Sequence, residues 1–267
     1  MAISPFVKAY DQLILDLDGC VWIGDEAVPG SIEAITALRE AGKRVAFVTN
    51  NARHSMEDVV QKLWGLGLQA SVADVVTVGG AMQHLLAETR RGMTVFVIGT
   101  PAMLEHVADA GLRVLNGTDL ASRAELVVVS ATSEVDYSDL RNATLALHRG
   151  ADFLATSRDA TYPMPEGPWP GAGAILAAVE TATGRTAPIV GKPEPQLFLT
   201  AIDRLGEGRT LVVGDRIDTD VAAAAAAKLD SALVLSGGTS AEEAEAWKGP
   251  RPKRVAENLA ALVLNET

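Results

Sequence analysis

The sequence predicts an α/β fold with a parallel sheet. Short apolar runs alternate along the chain with segments of helical periodicity, a pattern typical of parallel sheets with right-handed crossovers. The first run, residues 13–15, leads into two acids, Asp16 and Asp18. Polar residues also follow the runs at 45–48 and 211–213. Because open α/β sheets bind ligands at the carboxyl ends of their strands, we expect these polar residues to form one site.

The composition excludes several classes of protein. The chain has 267 residues, enough for one large domain or two modest ones, and only 4% of them are aromatic, so the core must be mainly aliphatic. No apolar run approaches the length of a membrane span. The net charge of −11 argues against binding to nucleic acid or to an anionic membrane, although it leaves room for a small anionic substrate. We therefore expect neither nucleic acid nor a membrane as a partner.

Cysteine usage and the first residues predict a cytoplasmic protein. Cys20 is the only cysteine, so no internal disulfide can form, which fits a reducing compartment. Residues 1–5 lack a basic segment followed by an apolar one, and we expect no signal peptide. We expect Cys20 to be a small buried side chain.

Local signals define the elements of the first two thirds. Ser31 predicts a helix N-cap, and residues 55–58 resemble a capping box at the start of another helix. Residues 156–173 are rich in proline and glycine and predict a long ordered loop, of a length that is usually functional. Further strands are predicted at 95–98 and 126–129, and further helices from Pro101, at 140–148 and at 174–183.

The last third repeats the alternation. A strand at 189–190 is predicted to end in Gly191-Lys192-Pro193. Asp218 is predicted to cap an alanine-rich helix at 221–228, a segment of high helix propensity. The other predicted elements are helices at 195–205 and 256–264 and strands at 211–213 and 232–235.

The groups that follow four predicted strands suit metal and phosphate binding. They are Asp16 and Asp18; Thr49, Asn50 and Asn51; Lys192; and Asp215, Asp218 and Asp220. Two carboxylates about 4 Å apart repel by roughly 4 kcal/mol at an effective dielectric near 20, so such a cluster requires a cation. Oxygen ligands without His or Cys suit a hard ion, and Mg²⁺ is the first choice. Lys192 and Thr49 can bind a phosphate dianion, and the set as a whole suits phosphoryl transfer.

Four segments together resemble the haloacid dehalogenase superfamily, in its branch of NagD-type and 4-nitrophenyl phosphatases. They are Asp16-Leu17-Asp18-Gly19, Thr49-Asn50-Asn51, Gly191-Lys192-Pro193 and Gly214-Asp215-Arg216-Ile217-Asp218-Thr219-Asp220. The resemblance covers essentially the whole chain. It implies a Rossmann-like parallel-sheet core formed by residues 1–79 and 186–267, with an inserted α/β cap at 80–185. A homodimer through the cap is expected by analogy alone.

The resemblance also implies catalytic roles. Asp16 would be the nucleophile that forms an aspartyl-phosphate. Asp18 would be the general acid for the leaving alkoxide and then the base for water. Asp16, the backbone carbonyl of Asp18, and Asp215 would ligate Mg²⁺, with Asp220 just outside the ligands.

Binding roles follow from the same resemblance. Thr49, Asn50, Asn51 and Lys192 would bind the transferring phosphoryl group, and Thr49 and Lys192 would also take part in catalysis.

Other polar and aromatic residues lie close to these segments in the sequence. Arg53 and His54 are expected to be surface residues. Tyr162, Glu166 and Trp169 would either line the pocket or pack within the loop, and Ser157 stands where many relatives have Asn, which puts inherited substrate contacts in doubt.

The expected function is a Mg²⁺-dependent phosphatase of a small phosphorylated metabolite, with glycerol 3-phosphate or a nucleotide monophosphate as candidate substrates. A phosphotransferase or mutase that uses the same intermediate is the enzymatic alternative. A phosphometabolite-binding protein without turnover is the alternative of a different class. A dehalogenase would need the nucleophile but neither Asp18 nor the acidic metal set.

Overall fold

The fold was obtained as a computed structural model that describes residues 2–52, 55–162 and 164–264. The predicted alternation of parallel strands and helices is confirmed in these residues. The strands are β1 (Gln12–Asp16), β2 (Trp22–Ile23), β3 (Glu26–Ala27), β4 (Arg44–Thr49), β5 (Val75–Thr77), β6 (Thr94–Ile98), β7 (Arg113–Val114), β8 (Leu126–Val129), β9 (Asp152–Ala155), β10 (Thr161–Tyr162), β11 (Trp169–Pro170), β12 (Thr210–Gly214), β13 (Asp230–Val234) and β14 (Arg254–Ala256). Arg53 and His54 lie outside the described residues.

The helices cover the faces of the sheets. They are α1 (Pro5–Lys8), α2 (Ser31–Glu40), α3 (Met56–Gly65), α4 (Val78–Thr89), α5 (Pro101–Asp109), α6 (Tyr137–His148), α7 (Ala172–Thr183), α8 (Gln196–Leu205), α9 (Ala222–Ala226), α10 (Ala241–Ala246) and α11 (Leu259–Val263). Within the described residues, no helix is long and apolar enough to cross a membrane.

Two parallel sheets organise the described part of the chain. The larger sheet has the strand order β14-β13-β12-β1-β4-β5, and the smaller has the order β7-β6-β8-β9. The larger sheet takes its strands from residues 12–77 and 210–256, and the smaller from residues 94–155. The division into a core and a cap, with boundaries at residues 80 and 185, stays a prediction.

Strand β1 is buried over its whole length because it lies in the middle of the larger sheet. Leu13 and Leu15 face one layer of apolar side chains, which includes Leu38, and Ile14 faces the opposite layer, which includes Phe198. Full burial of such a side chain stabilises the fold by about 1.5–3 kcal/mol. The apolar run at 13–15 therefore anchors the strand that carries Asp16.

The structure corrects the prediction for Ser31. Gly30 is the N-cap of α2 with a positive φ of 76°, and Ser31 is the first helical residue. The Ser31 hydroxyl instead donates to the Val21 carbonyl at 2.8 Å. A second prediction is confirmed, because Ser55 and Asp58 form the expected capping box at the start of α3.

Three further expectations are wrong in detail. Residues 189–190 form no strand of the larger sheet, because Ile189 bridges Ala155 at the end of β9. Asp218 does not cap a helix; it lies in a π-helical turn and is half exposed. The predicted helix at 256–264 is shorter, since Ala256 ends β14 and α11 begins at Leu259, after the capping side chain of Asn258. The predicted loop at 156–173 contains the β10–β11 hairpin.

Candidate active site

The site lies at the carboxyl edge of the larger sheet. Asp16 ends β1, Thr49 ends β4, and Asp215 directly follows β12. The register pairs Asp16 with Val48 on one side and Leu15 with Val213 on the other, so these three polar residues lie side by side at the sheet edge. The convergence that the sequence predicts for them is confirmed.

Three buried acids surround one buried lysine at this edge. Asp16, Asp215 and Asp220 each offer a carboxylate oxygen within 4.8 Å of the others. The Lys192 ammonium donates to Asp16 Oδ1 at 2.6 Å and to Asp220 Oδ1 at 2.7 Å. Three carboxylates against one ammonium leave the cluster with an excess of negative charge when all three are ionised.

The excess of negative charge and the burial of the cluster shift the pKa values of its residues. Burial raises the pKa of Asp16 well above its usual range, and the Lys192 charge offsets only part of that effect. Burial, followed by the charge of Asp220, raises the pKa of Asp215 to about 7. Burial opposes the charge on Lys192, but Asp16 and Asp220 outweigh it and hold the lysine pKa above its ordinary value. The cluster therefore favours binding of a further cation or proton.

Asp215 has the free ligand atom that a metal ion needs. Its Oδ2 accepts a hydrogen bond from the Gly238 backbone N–H at 2.5 Å, whereas its buried Oδ1 has no hydrogen-bond partner among the residues that the structure describes. A Cβ atom at Gly19 or at Gly237 would overlap Asp215 Oδ2, so only glycine permits this approach. Since the donors are all oxygen, the residues present fit Mg²⁺, with Asp16 and Asp215 as the carboxylates that would hold it.

Asp220 has a different task from Asp215. Its Oδ1 accepts from Lys192, and its Oδ2 accepts from the Arg216 backbone N–H at 3.0 Å. Its carboxyl group packs on Gly214, where a Cβ would overlap it. With both oxygens engaged by protein donors, Asp220 orients Lys192, and its place just outside the metal ligands stays a prediction.

Asp18 lies at the rim of the site and is only partly buried. Trp22 Nε1 donates to its Oδ1 at 3.0 Å, and Thr49 Oγ1 and Asn51 Nδ2 reach its Oδ2 at 3.3 and 3.4 Å. The carboxyl group is thus held beside the cleft. Metal ligation through the Asp18 backbone carbonyl stays a prediction.

Asn50 uses its side chain within the protein. Its Nδ2 donates to Asp159 Oδ2 at 2.9 Å and to the Lys192 carbonyl at 3.0 Å, and its Oδ1 accepts from the Lys192 N–H at 2.8 Å. All of its donor capacity is therefore engaged. Phosphoryl binding by Asn50 stays a prediction, and its side chain would have to give up one of these partners to donate to substrate.

A cleft opens above these residues. The residues that line it are Asp16, Asp18, Thr49, Asn50, Asn51, Ala131, Ser157, Asp159, Thr161, Tyr162, Gly171, Ala172, Lys192, Asp215, Arg216 and Thr219. Every catalytic, phosphoryl-binding and metal-binding residue that the resemblance implied lines this cleft, whereas Asp218 and Asp220 do not.

Two family models and a similar phosphatase identify the family of this chain. A family model described as haloacid dehalogenase-like hydrolase matches residues 13–113, and a second HAD-hydrolase-like model matches residues 189–262. The D-glycerol 3-phosphate phosphatase of Mycobacterium tuberculosis is 38% identical over 262 residues, which are 97% of this chain and 72% of that protein. This chain belongs to the haloacid dehalogenase-like hydrolases.

Other relatives support the same branch of these hydrolases. The acid sugar phosphatase of Staphylococcus saprophyticus is 34% identical, with 90% of this chain and 92% of that protein covered. The glycerol phosphate phosphatase structure from M. tuberculosis in complex with magnesium has a TM-score of 0.86 at 38% identity, covering 95% of this chain and 76% of that chain. The p-nitrophenyl phosphatase structure from Archaeoglobus fulgidus has a TM-score of 0.83 at 31% identity, and the match covers 95% of this chain and 98% of that chain. The expectation of a phosphatase is confirmed.

Sequence reasoning missed two charged residues of this hydrolase's cleft, Asp159 and Arg216. Arg216 Nη1 donates to the Thr161 carbonyl at 3.1 Å, and its Nε lies 3.8 Å from Asp159 Oδ1. Arg216 directly follows Asp215, and Asp159 lies in the loop rich in proline and glycine, so the position of each in the sequence indicated a place near the site. Nothing in the sequence indicated which residues each of them contacts.

The aromatic residues of the loop divide between the two expected roles. Tyr162 lines the cleft, and its ring packs edge-on against Trp169 with centroids 6.2 Å apart. Trp169 and Glu166 are exposed and do not line the cleft.

Cys20 is fully buried, as expected. Burial raises the pKa of its thiol, and the charges of the neighbouring acids raise it further.

Proposed function

We propose that this hydrolase cleaves small phosphomonoesters through an aspartyl-phosphate on Asp16, with Mg²⁺ as the cofactor. One observation carries the proposal. The Asp16 carboxylate ends a central strand beside Lys192, and Asp215, with a buried Oδ1 that accepts no hydrogen bond from the described residues, offers an oxygen within 4.8 Å of it. That arrangement supplies a nucleophile, a cation for the phosphate and a place for a metal ion.

The chain's own residues account for the steps. Magnesium, when bound, supplies positive charge for the phosphate oxygens. Lys192 holds Asp16 Oδ1, so Asp16 Oδ2 is the oxygen that attacks phosphorus as the ester bond breaks. Asp18 gives its proton to the leaving alkoxide. Asp18 then takes a proton from water as the water oxygen bonds to phosphorus and the bond between phosphorus and Asp16 Oδ2 breaks. The products are an alcohol, inorganic phosphate and free Asp16.

Glycerol 3-phosphate is the substrate that we propose first. The cleft adds hydroxyl groups from Ser157, Thr161 and Tyr162 to its charged floor. The similarity to the M. tuberculosis D-glycerol 3-phosphate phosphatase supports this choice. A nucleotide monophosphate is the second candidate. A panel of phosphorylated metabolites decides between them, and a higher kcat/KM for a nucleotide would reverse the order.

The decisive experiment measures phosphate release from 4-nitrophenyl phosphate with and without Mg²⁺. We expect turnover only with Mg²⁺ and loss of turnover in Asp16→Asn, because the amide is not a nucleophile. Transfer of the phosphate to an added alcohol or sugar, without inorganic phosphate as product, would indicate a phosphotransferase. Binding of glycerol 3-phosphate without any turnover would indicate a binding protein.

Assembly and location complete the proposal. We infer a homodimer through the segment at 80–185 by analogy only, and a cytoplasmic location from the single cysteine. Light scattering of the purified protein measures the first, and fractionation of cells measures the second.

A further inference from the structure

The segment that leads into Lys192 is bound to the smaller sheet. The Val190 N–H donates to the Ala155 carbonyl at 3.0 Å, and the Gly191 N–H donates to the Thr156 carbonyl at 2.8 Å. Ala155 ends β9 of that sheet. Lys192 nevertheless reaches Asp16 of the larger sheet. Its position therefore depends on how the two sheets are held together at this point.

Asn50 provides one of the contacts that hold Lys192 from the larger sheet. The Asn50 carboxamide brackets the Lys192 backbone, since it accepts from the N–H and donates to the carbonyl of the same residue. Two hydrogen bonds to one residue define both its distance and its rotation. The remaining hydrogen atom of Asn50 Nδ2 is donated to Asp159.

Asp159 is the carboxylate that completes this arrangement. It lies in the loop after β9, and its side chain is only 16% exposed. Its Oδ2 accepts from Asn50 at 2.9 Å, and its Oδ1 faces Arg216 Nε at 3.8 Å. Both partners belong to segments that carry site residues, because Asn50 follows Thr49 and Arg216 follows Asp215. Asp159 thus ties the loop of the smaller sheet to two segments of the larger one.

We propose that Asp159 is a positioning residue for Lys192, acting through Asn50. The proposal rests on the phosphatase function proposed above and adds a residue to it. By holding the Asn50 carboxamide in the orientation that brackets Lys192, Asp159 sets the place of the ammonium group relative to Asp16. Asp159 need not touch substrate in this role.

Two readouts separate positioning from contact with the leaving group. A residue that acts through Lys192 affects the phosphoryl end of every substrate, so its loss lowers kcat by the same factor whatever the alcohol. It also depends on Asn50, so the effects of Asp159→Ala and Asn50→Ala are not additive. A residue that binds the leaving group affects one substrate more than another and acts independently of Asn50.

The test measures kcat and KM of Asp159→Ala, Asn50→Ala and the double variant with 4-nitrophenyl phosphate and with glycerol 3-phosphate. We expect Asp159→Ala to lower kcat by about 10- to 100-fold, equally for both substrates, with a smaller change in KM, because small misplacements of catalytic groups have effects of this size. The double variant should equal Asn50→Ala. Asp159→Asn, which keeps an oxygen for Asn50, should retain most of the activity.

Glu166→Gln is the matched control, because Glu166 is an exposed acid of the same loop outside the cleft. An unchanged kcat in Asp159→Ala, a loss confined to one substrate, or additive effects with Asn50→Ala would overturn the proposal. If Asp159→Ala does not fold, the double variant Asn50→Asp with Asp159→Asn is compared with Asn50→Asp alone. A higher kcat in the double variant would support the proposal, and an equal or lower kcat would overturn it. Absence of Mg²⁺-dependent turnover in the wild-type protein would instead refute the phosphatase function.

Discussion

Asp215 is the residue in which the proposed metal binding and pH dependence meet. It is buried, its Oδ1 has no hydrogen-bond partner within the described part of the chain, and its pKa is raised from 3.8 to about 7 by burial and by Asp220. A proton and a metal ion therefore compete for the same carboxylate. The folded state binds the proton more tightly than the unfolded chain does, so the metal-free protein is stabilised by protonation.

From this competition we expect opposite pH trends with and without the metal. Without Mg²⁺, the contribution of Asp215 to stability is greatest below about pH 4 and is lost as the pH rises through about 7, because the unfolded chain ionises first. With Mg²⁺ the ionised carboxylate is the ligand, so the increase in Tm on adding Mg²⁺ should be larger near pH 8 than near pH 5. Thermal unfolding at both pH values measures this.

Asp215→Asn is the control, because the amide resembles the protonated acid in shape and charge. The variant should be more stable than the wild type near pH 8 without metal, and Mg²⁺ should raise its Tm little at either pH. A Mg²⁺ effect on the wild type that is larger near pH 5 would contradict the assignment of Asp215 as a ligand.

Helix α3 shows what can be read from sequence at the scale of an element. Ser55 and Asp58 have the spacing of a capping box, and the structure forms both of its hydrogen bonds. Such local patterns are predictable because the partners lie three residues apart. Residues 189–190 are the opposite case: two apolar residues predict an extended segment but contain no information on which strand they pair with, and they pair with Ala155 instead of the larger sheet.

The capping box leads to a prediction of stability. Ser55→Ala removes the acceptor for the Asp58 N–H at 3.1 Å and should cost about 1 kcal/mol. In a chain of this size that corresponds to a fall in Tm of roughly 2–4 °C. Ser55→Thr keeps the hydroxyl group and should lose less. Calorimetry measures both, and an equal loss in the two variants would show that the hydrogen bond contributes little.

At the scale of the whole molecule, most of the site residues could be predicted from the sequence, but the contacts that hold them in place could not. Asp16, Thr49 and Asp215 follow recognisable strands of one sheet, so their convergence follows from topology. The contact of Asn50 with Asp159 joins residues 109 positions apart, and nothing local in the chain specifies it. The N-cap at Gly30 was missed because a serine beside it matched the usual pattern better.

The junction between the sheets is tightest at Gly191. A Cβ atom there would overlap Asn50 Oδ1 and the Thr156 carbonyl oxygen, which belong to opposite sides of the junction. Gly191→Ala should therefore displace Lys192 and lower kcat by about 10-fold or more. Gly65→Ala is the control, because Gly65 has open space around it and lies in α3, where alanine is the better helix former. Steady-state kinetics of both variants test this, and an active Gly191→Ala would contradict it.

The attachment of the Lys192 segment to the end of β9 has a consequence for protein engineering. Transplanting the segment between β5 and α8 from one hydrolase of this kind to another would exchange more than the loop residues that line the cleft. The transplanted segment would also carry the backbone contacts that position Lys192. The kcat of the chimera would therefore depend partly on the protein that donated the segment. Substrate range and turnover in such chimeras are then inherited together, unless the backbone at 188–191 and its partners at 155–156 are kept as a matched pair.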